Sequence, residues 1–228
     1  KEDIAALIVE PIQGEAGYIV PPKEFLPKLE KICRKNGFLL IVDEVQAGFG
    51  RTGKMFACDH YGVQPDIICL AKALASGLPM GATVAKSEVA NWEEGAHSNT
   101  YGGNLLACAA ALASINIIKK EKLWEKASSL GDHALSRLNE IKEESGIVGD
   151  VRGKGLMIGI EFVKNKKTKE KAVKETDEIS VEAFKKGLIL LPVGTNCIRI
   201  APPLNIPQEL LDKGLDILSA AIKAVESG

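Results

Sequence analysis

The chain has 228 residues, 46% hydrophobic and 26% charged, a balance that excludes a disordered segment and predicts one large domain or two modest ones around a sizeable core. Lys and Arg total 29 against 30 Asp and Glu, so the net charge of −1 leaves no polybasic footprint and argues against nucleic acid or an anionic membrane as the main partner. The longest apolar runs fall short of the roughly 20 residues of a membrane span.

The first residues carry no secretory signal pattern. The sequence opens at Lys1 without a Met and enters an apolar run almost at once, so it is expected to be a piece of something longer. Five dispersed cysteines (Cys33, Cys58, Cys69, Cys108 and Cys197) include no CxxC pair, which predicts reduced thiols in a cytoplasmic protein.

Residues 4–9 (IAALIV) are a continuous apolar run of the kind a buried parallel strand carries. Phe25, Leu29, Ile32 and Cys33 recur at helical spacing within 24–35, and Asn36-Gly37 stops that helix. Residues 38–42 (FLLIV) read as a second buried strand, and 66–70, introduced by Pro65, as a third. Strand, helix and strand in that order indicate a βαβ unit and a parallel sheet. Residues 81–85 are a further short strand candidate. The helix formers of 104–144 predict two helices or one long, bent one. Residues 156–163 read as a strand, and the mixed charges of 164–178 as a solvated loop leading into a helix. Residues 187–191 and 197–201 suggest a hairpin around 192–196, and about 207–225 a final amphipathic helix. Lys and Glu become frequent after about residue 120, so the division is an α/β portion over 1–120 and a smaller α+β portion over 121–228.

Each of the first three strands runs into charge: the first into Glu10, the second into Asp43-Glu44, the third through Ala71 into Lys72. Ligands of an open parallel sheet bind at the carboxyl ends of its strands. Lys72 reads either as an ordinary surface lysine or as a nucleophile toward a carbonyl. Its small, apolar neighbours and the lack of a counter-charge close in sequence suit the second reading. Asp43 reads either as a cap or turn acid or as the carboxylate that holds a positive ring nitrogen. A Schiff-base lysine and an acid on a pyridinium nitrogen are together the protein's share of pyridoxal-phosphate chemistry.

Residues 48–53 match G-x-G-x-x-G, but 43–47 separate them from the strand, and Gly62 and Pro65 break the segment that should be the crossover helix, so a nucleotide site is set aside. Glu44 reads as structural. His60, His97 and His133 have no constellation around them, and no metal site is expected.

Six stretches carry a resemblance: VEPIQGEAG (9–17), IVDEVQAGFGRTG (41–53), PDIICLAKALASGLPMGA (65–82), NTYGGNLLACAAALA (99–113), RGKGLMIGIEF (152–162) and IRIAPPLNI (198–206). In this order and spacing they resemble class III (subgroup II) aminotransferases of fold type I, the group of 4-aminobutyrate, ornithine and acetylornithine aminotransferases. The resemblance implies an α/β fold. Residues 1–120 would be the C-terminal part of the mostly parallel sheet of a large, pyridoxal 5′-phosphate-binding domain, and 121–228 a small α+β domain.

The same resemblance implies roles. Lys72 would form the internal aldimine and shuttle the proton between Cα and C4′, and Asp43 would partner the pyridine nitrogen. Val45 would pack on one ring face, and Gln46 would hydrogen-bond the phenolic oxygen. Thr100 would reach the cofactor phosphate of the neighbouring subunit, which implies a homodimer or higher oligomer with shared active sites. Arg199 would grip the substrate α-carboxylate, and Glu15 would pair with Arg199 when the substrate end lacks one. The implied reaction moves an amino group from an ω-amino acid, 4-aminobutyrate foremost, to 2-oxoglutarate. Amino-acid racemisation or epimerisation on the same scaffold is the alternative. Family members are roughly twice this long, and the phosphate-binding loop belongs to the front half. These residues alone are therefore expected not to turn over substrate, and a non-catalytic fragment is the third reading.

Overall fold

The computed structural model describes residues 3–227. They divide into two compact units. One comprises the residues up to Ile12 together with Pro21–Trp124; the other comprises Gln13–Val20 and the chain from Glu125 onward. Among the described residues no helix is long and apolar enough to cross a membrane.

The first unit contains β1 (Ala6–Val9), α1 (Phe25–Asn36), β2 (Leu39–Asp43), β3 (Ile67–Leu70), β4 (Ala82–Ala85) and α2 (Leu105–Lys120). Its sheet runs β1-β2-β3-β4, with β1, β2 and β3 parallel and β4 antiparallel to β3. Helix α1 ends as its sequence predicts. Gly37 adopts a left-handed φ of 73°, and the amides of Gly37 and Phe38 both donate to the Cys33 carbonyl. The chain is thereby turned into β2, and Leu26 and Cys33 of α1 pack with Leu40 and Val42 of the sheet, closed by Cys58 and Val63.

Strand β1 departs from the expected two-sided burial. It is an edge strand, and Ile8 is 63% exposed, so within this chain the apolar run is covered on one side only. The glycine-rich segment 48–53 forms successive turns, with Phe49 at φ 55° and Gly50 at φ 90°, and leads into a single 3₁₀ turn (Ala57–His60) instead of a crossover helix. Gly48 is required by space, since a Cβ there would lie 2.8 Å from the Glu44 carbonyl oxygen.

The second unit holds most of α3 (Leu123–Glu144), then β5 (Val148–Lys154), β6 (Met157–Phe162), α4 (Val173–Lys185), β7 (Leu191–Val193), β8 (Cys197–Ile200) and α5 (Gln208–Ser227). Its sheet is antiparallel throughout, in the order β5-β6-β8-β7. Ile158, Ile160, Phe162 and Ile198 from the sheet form one core with Leu138, Ile179, Leu215, Leu218 and Ile222 from the three helices. The long helical pattern is two helices, broken where Lys122 takes a left-handed φ of 49°.

Strand β5 was not foreseen. Its sequence, VGDVRGK, is poor in β-formers because two glycines occupy crowded points. A Cβ on Gly153 would sit 2.4 Å from the Met157 carbonyl oxygen, and one on Gly149 would sit 2.8 Å from the Val163 side chain. The expected hairpin is present as β7 and β8. The apolar run before it is largely outside the sheet, with Ile189 and Leu191 exposed.

Candidate active site

The parallel register of the first unit aligns the strand tips. Val9 pairs with Val42 and Asp43 with Cys69, which places Glu10, Asp43 and Lys72 along one edge of the sheet, on strands about 4.7–4.9 Å apart. The ladder continues one step past β2, where the Glu44 amide donates to the Cys69 carbonyl at 3.0 Å.

Asp43 is half-buried, and its Oδ1 accepts the Val45 amide at 2.9 Å. This bond, from a residue to the amide two positions on, sets the turn after the strand and fixes the plane of the carboxylate. The carboxylate keeps its second oxygen, Oδ2, as a further acceptor. The two readings of Asp43, turn acid and ring partner, are therefore compatible. Val45 and Gln46 follow it in that turn, both half-buried.

Lys72 opens a 3₁₀ turn (Lys72–Leu74) after β3 and has a φ of 45°. For a residue with a Cβ the left-handed region costs about 1–2 kcal/mol. The turn is held by the Leu74 amide on the Ala71 carbonyl at 2.9 Å and by the buried side chains of Leu74 and Ala75. Residues held in this region cluster at active sites, ligand clamps and switch segments. Within this chain the Lys72 side chain is exposed, as is Thr100 in the run 91–106 that precedes and opens α2.

Glu44 has the structural part expected of it. It is fully buried, with Oε2 accepting the Ala57 amide at 3.0 Å and Oε1 the Cys58 amide at 2.8 Å. Burial pushes its carboxyl above the ordinary range, and the two amides pull the other way. The residue beside Asp43 is thus tied to the 3₁₀ turn over Ala57–His60.

The second unit brings together the pair implied by the resemblance. Arg199 lies on β8, opposite Gly159 of β6 and Leu191 of β7. Its Nη1 donates to Glu15 Oε1 at 2.8 Å, across 184 residues of sequence. The Arg199 side chain is 25% exposed and that of Glu15 is 72% exposed. An ion pair with one partner this open to water contributes only about 0.2–1 kcal/mol, so it opens at little cost. Sequence reading passes over Arg152, which lies within the RGKG stretch; its half-buried guanidinium reaches the backbone of the Glu15 loop.

The sequence matches the class-III aminotransferase family over residues 1–222, and the chain belongs to that family. Among curated relatives it is 47% identical to the leucine/methionine racemase of Thermococcus litoralis, over 100% of this chain and 52% of that protein. It is 46% identical to the 4-aminobutyrate aminotransferase of Mycobacterium leprae, over 96% of this chain and 49% of that protein. The chain spans about half the length of the curated relatives it matches. A solved amine transaminase from an uncultivated Pseudomonas species, in its PLP-bound (internal aldimine) form, superposes with a TM-score of 0.91 at 38% identity, covering 96% of this chain and 52% of that one.

Proposed function

We propose that the protein carrying this chain is a pyridoxal-phosphate-dependent aminotransferase that transfers the amino group of an ω-amino acid, 4-aminobutyrate foremost, to 2-oxoglutarate. The observation that carries this reading is the placement of Lys72 and Asp43 at neighbouring tips of parallel strands. One offers a primary amine from a strained backbone, the other a carboxylate with an oxygen to spare. That donor set fits the cofactor, which needs an amine for its aldehyde and an anion for its ring nitrogen. In this reading residues 1–120 belong to the large, cofactor-binding domain and 121–228 to the small one, although Gln13–Val20 group with the second compact unit.

Bound pyridoxal phosphate supplies an aldehyde that condenses with amines and a ring that takes up the electron pair released at the substrate Cα. Asp43 would face the ring nitrogen and favour its protonated form by its negative charge. Lys72 would hold the cofactor through its aldehyde and, when freed by the substrate amine, its Nζ would carry the proton removed from Cα. Val45 would support one face of the ring, and Gln46 would donate to its phenolic oxygen. Thr100 contributes to the phosphate site of the neighbouring subunit in a homodimer. Arg199 binds the α-carboxylate of 2-oxoglutarate or glutamate through its planar fork, and Glu15 occupies that fork when an ω-amino donor is bound. Five unpaired thiols suit a reducing, cytoplasmic setting.

A second reading, racemisation of an α-amino acid, has a specific observation in its favour: the Thermococcus litoralis racemase is 47% identical over the whole of this chain. Racemisation returns the proton to Cα, and no oxo acid is consumed. An amino-donor panel on the holoenzyme, run with and without 2-oxoglutarate, separates the two. The expected result is one glutamate formed per ω-amino donor oxidised, with no reaction when the oxo acid is omitted. Loss of chirality of an α-amino acid without any oxo acid would select the racemase.

A further inference from the structure

We propose that Arg152 is a positioning residue that anchors the backbone of the Glu15 loop, so that the choice between ω-amino and α-carboxylate substrates is made by rotation of the Glu15 side chain alone. This rests on the reading of Glu15 and Arg199 as the substrate-selecting pair.

Residues 13–19 form a short closed loop. Gln13 and Ile19 exchange two backbone hydrogen bonds at 3.1 Å, and the amides of Gly17 and Tyr18 turn back on the Gly14 carbonyl at 3.1 and 3.3 Å. Gly17 at φ 107° and Tyr18 at φ 54° bend the backbone so that the Gly17 carbonyl meets the sheet of the second unit. Three donors converge on that one oxygen: Arg152 Nε at 3.0 Å, Arg152 Nη2 at 2.8 Å and the Cys197 thiol at 3.6 Å. Burial pushes the Cys197 thiol up to about 11, so it keeps its proton at neutral pH. The third nitrogen of Arg152, Nη1, is held by Asp150 at 2.9 Å and Glu161 at 2.7 Å. Five donors in a rigid plane allow this division of labour, and an ammonium does not reproduce it.

The sheet is shaped to receive the loop. A Cβ on Gly159 would lie 2.8 Å from the Gly17 carbonyl oxygen, so glycine leaves the seat open. Gly159 is the register partner of Arg199, and Cys197 precedes Arg199 by two positions and shares its face of β8. The loop that carries Glu15 is therefore seated on the strand pair that carries Arg199. Glu15 meets Arg199 at 2.8 Å from this anchored backbone, with a side chain that is itself mostly exposed. The backbone of this loop is thus held at the Gly17 carbonyl, while the Glu15 carboxylate meets Arg199 in a largely exposed ion pair.

The test compares Arg152→Lys, Gly159→Ala, Glu15→Ala and the Arg152→Lys/Glu15→Ala pair in the holoenzyme, by two readouts. In hydrogen exchange, Arg152→Lys is expected to speed exchange over 13–20 by tenfold or more and to leave β6 and α5 within twofold. In single half-reactions, it raises the KM for the ω-amino donor about tenfold and leaves that for glutamate within twofold. Glu15→Ala gives the same KM pattern without the change in exchange, and the double variant adds nothing to its KM ratio. Gly159→Ala displaces the same carbonyl without altering the Arg152 side chain, so it must give both changes even if Arg152→Lys does not fold. Unchanged exchange over 13–20 in a folded variant overturns the proposal, as does faster exchange with an unmoved KM ratio while Glu15→Ala moves it. An unmoved ratio in Glu15→Ala itself overturns the underlying reading, and the proposal with it; the exchange data tell that failure apart.

Discussion

Lys72→Ala is expected to lower the transamination rate by about 10⁴-fold or more. Proton transfer by a positioned side chain alone contributes about 10²–10⁴-fold, and this variant also removes the amine proposed to bind the cofactor. The loss should come without unfolding. The side chain is exposed, and the turn it opens is held by the Ala71 carbonyl and by the buried Leu74 and Ala75. Lys72→Arg makes the sharper comparison. It keeps the positive charge, but the guanidinium stays protonated and is no nucleophile, so the same loss is expected. Steady-state glutamate formation measures the effect, with circular dichroism as the control for folding. An arginine variant that retained a tenth of the activity would mean that charge, not covalent chemistry, is what position 72 supplies.

Asp43→Asn should reduce kcat by about 30-fold to several thousand-fold, the range that corresponds to a cost of roughly 2–5 kcal/mol when one partner of a desolvated charged hydrogen bond is neutralised. The substitution is nearly isosteric. Asparagine can still accept the Val45 amide, so the turn is preserved and stability should change by no more than about 0.5 kcal/mol. Asp43→Ala separates the two duties of this side chain. It leaves the Val45 amide without its acceptor and should add about 1 kcal/mol or more of destabilisation to the same kinetic loss. Thermal melting beside kcat resolves the two. An asparagine variant with near-normal kcat would leave Asp43 as a turn-forming acid only.

The strand-tip cluster was legible because the sheet is parallel there. Apolar runs that each end in charge declare both the strand and its carboxyl end, and parallel pairing puts those ends on one edge without any knowledge of contacts. The stop of α1 was legible for a similar local reason, since Asn36-Gly37 encodes the left-handed cap found at Gly37. The G-x-G-x-x-G of 48–53 misleads in isolation. Its glycines answer to positive φ angles and to the close approach of the Glu44 carbonyl, needs that a phosphate loop shares.

What was hidden depends on partners far along the chain. Glu15 and Arg199 are 184 residues apart, and neither has a neighbour that raises it above an ordinary loop acid or strand arginine, so only the family resemblance singled them out. Arg152 was harder still. Its partner, 135 residues away, is a backbone carbonyl, and an acceptor common to every residue leaves no trace in side-chain patterns. The glycines that let β5 and β6 approach their neighbours lower the apparent strand propensity of the segments they make possible.

Covalent attachment at Lys72 is the claim on which the enzymatic account stands, and it can be tested chemically. Holoenzyme is reduced with borohydride, digested and read by mass spectrometry. The expected product is a peptide carrying a stable pyridoxyl group on Lys72. The same treatment of a transamination-competent preparation that left Lys72 unmodified, or labelled a different lysine, would contradict it.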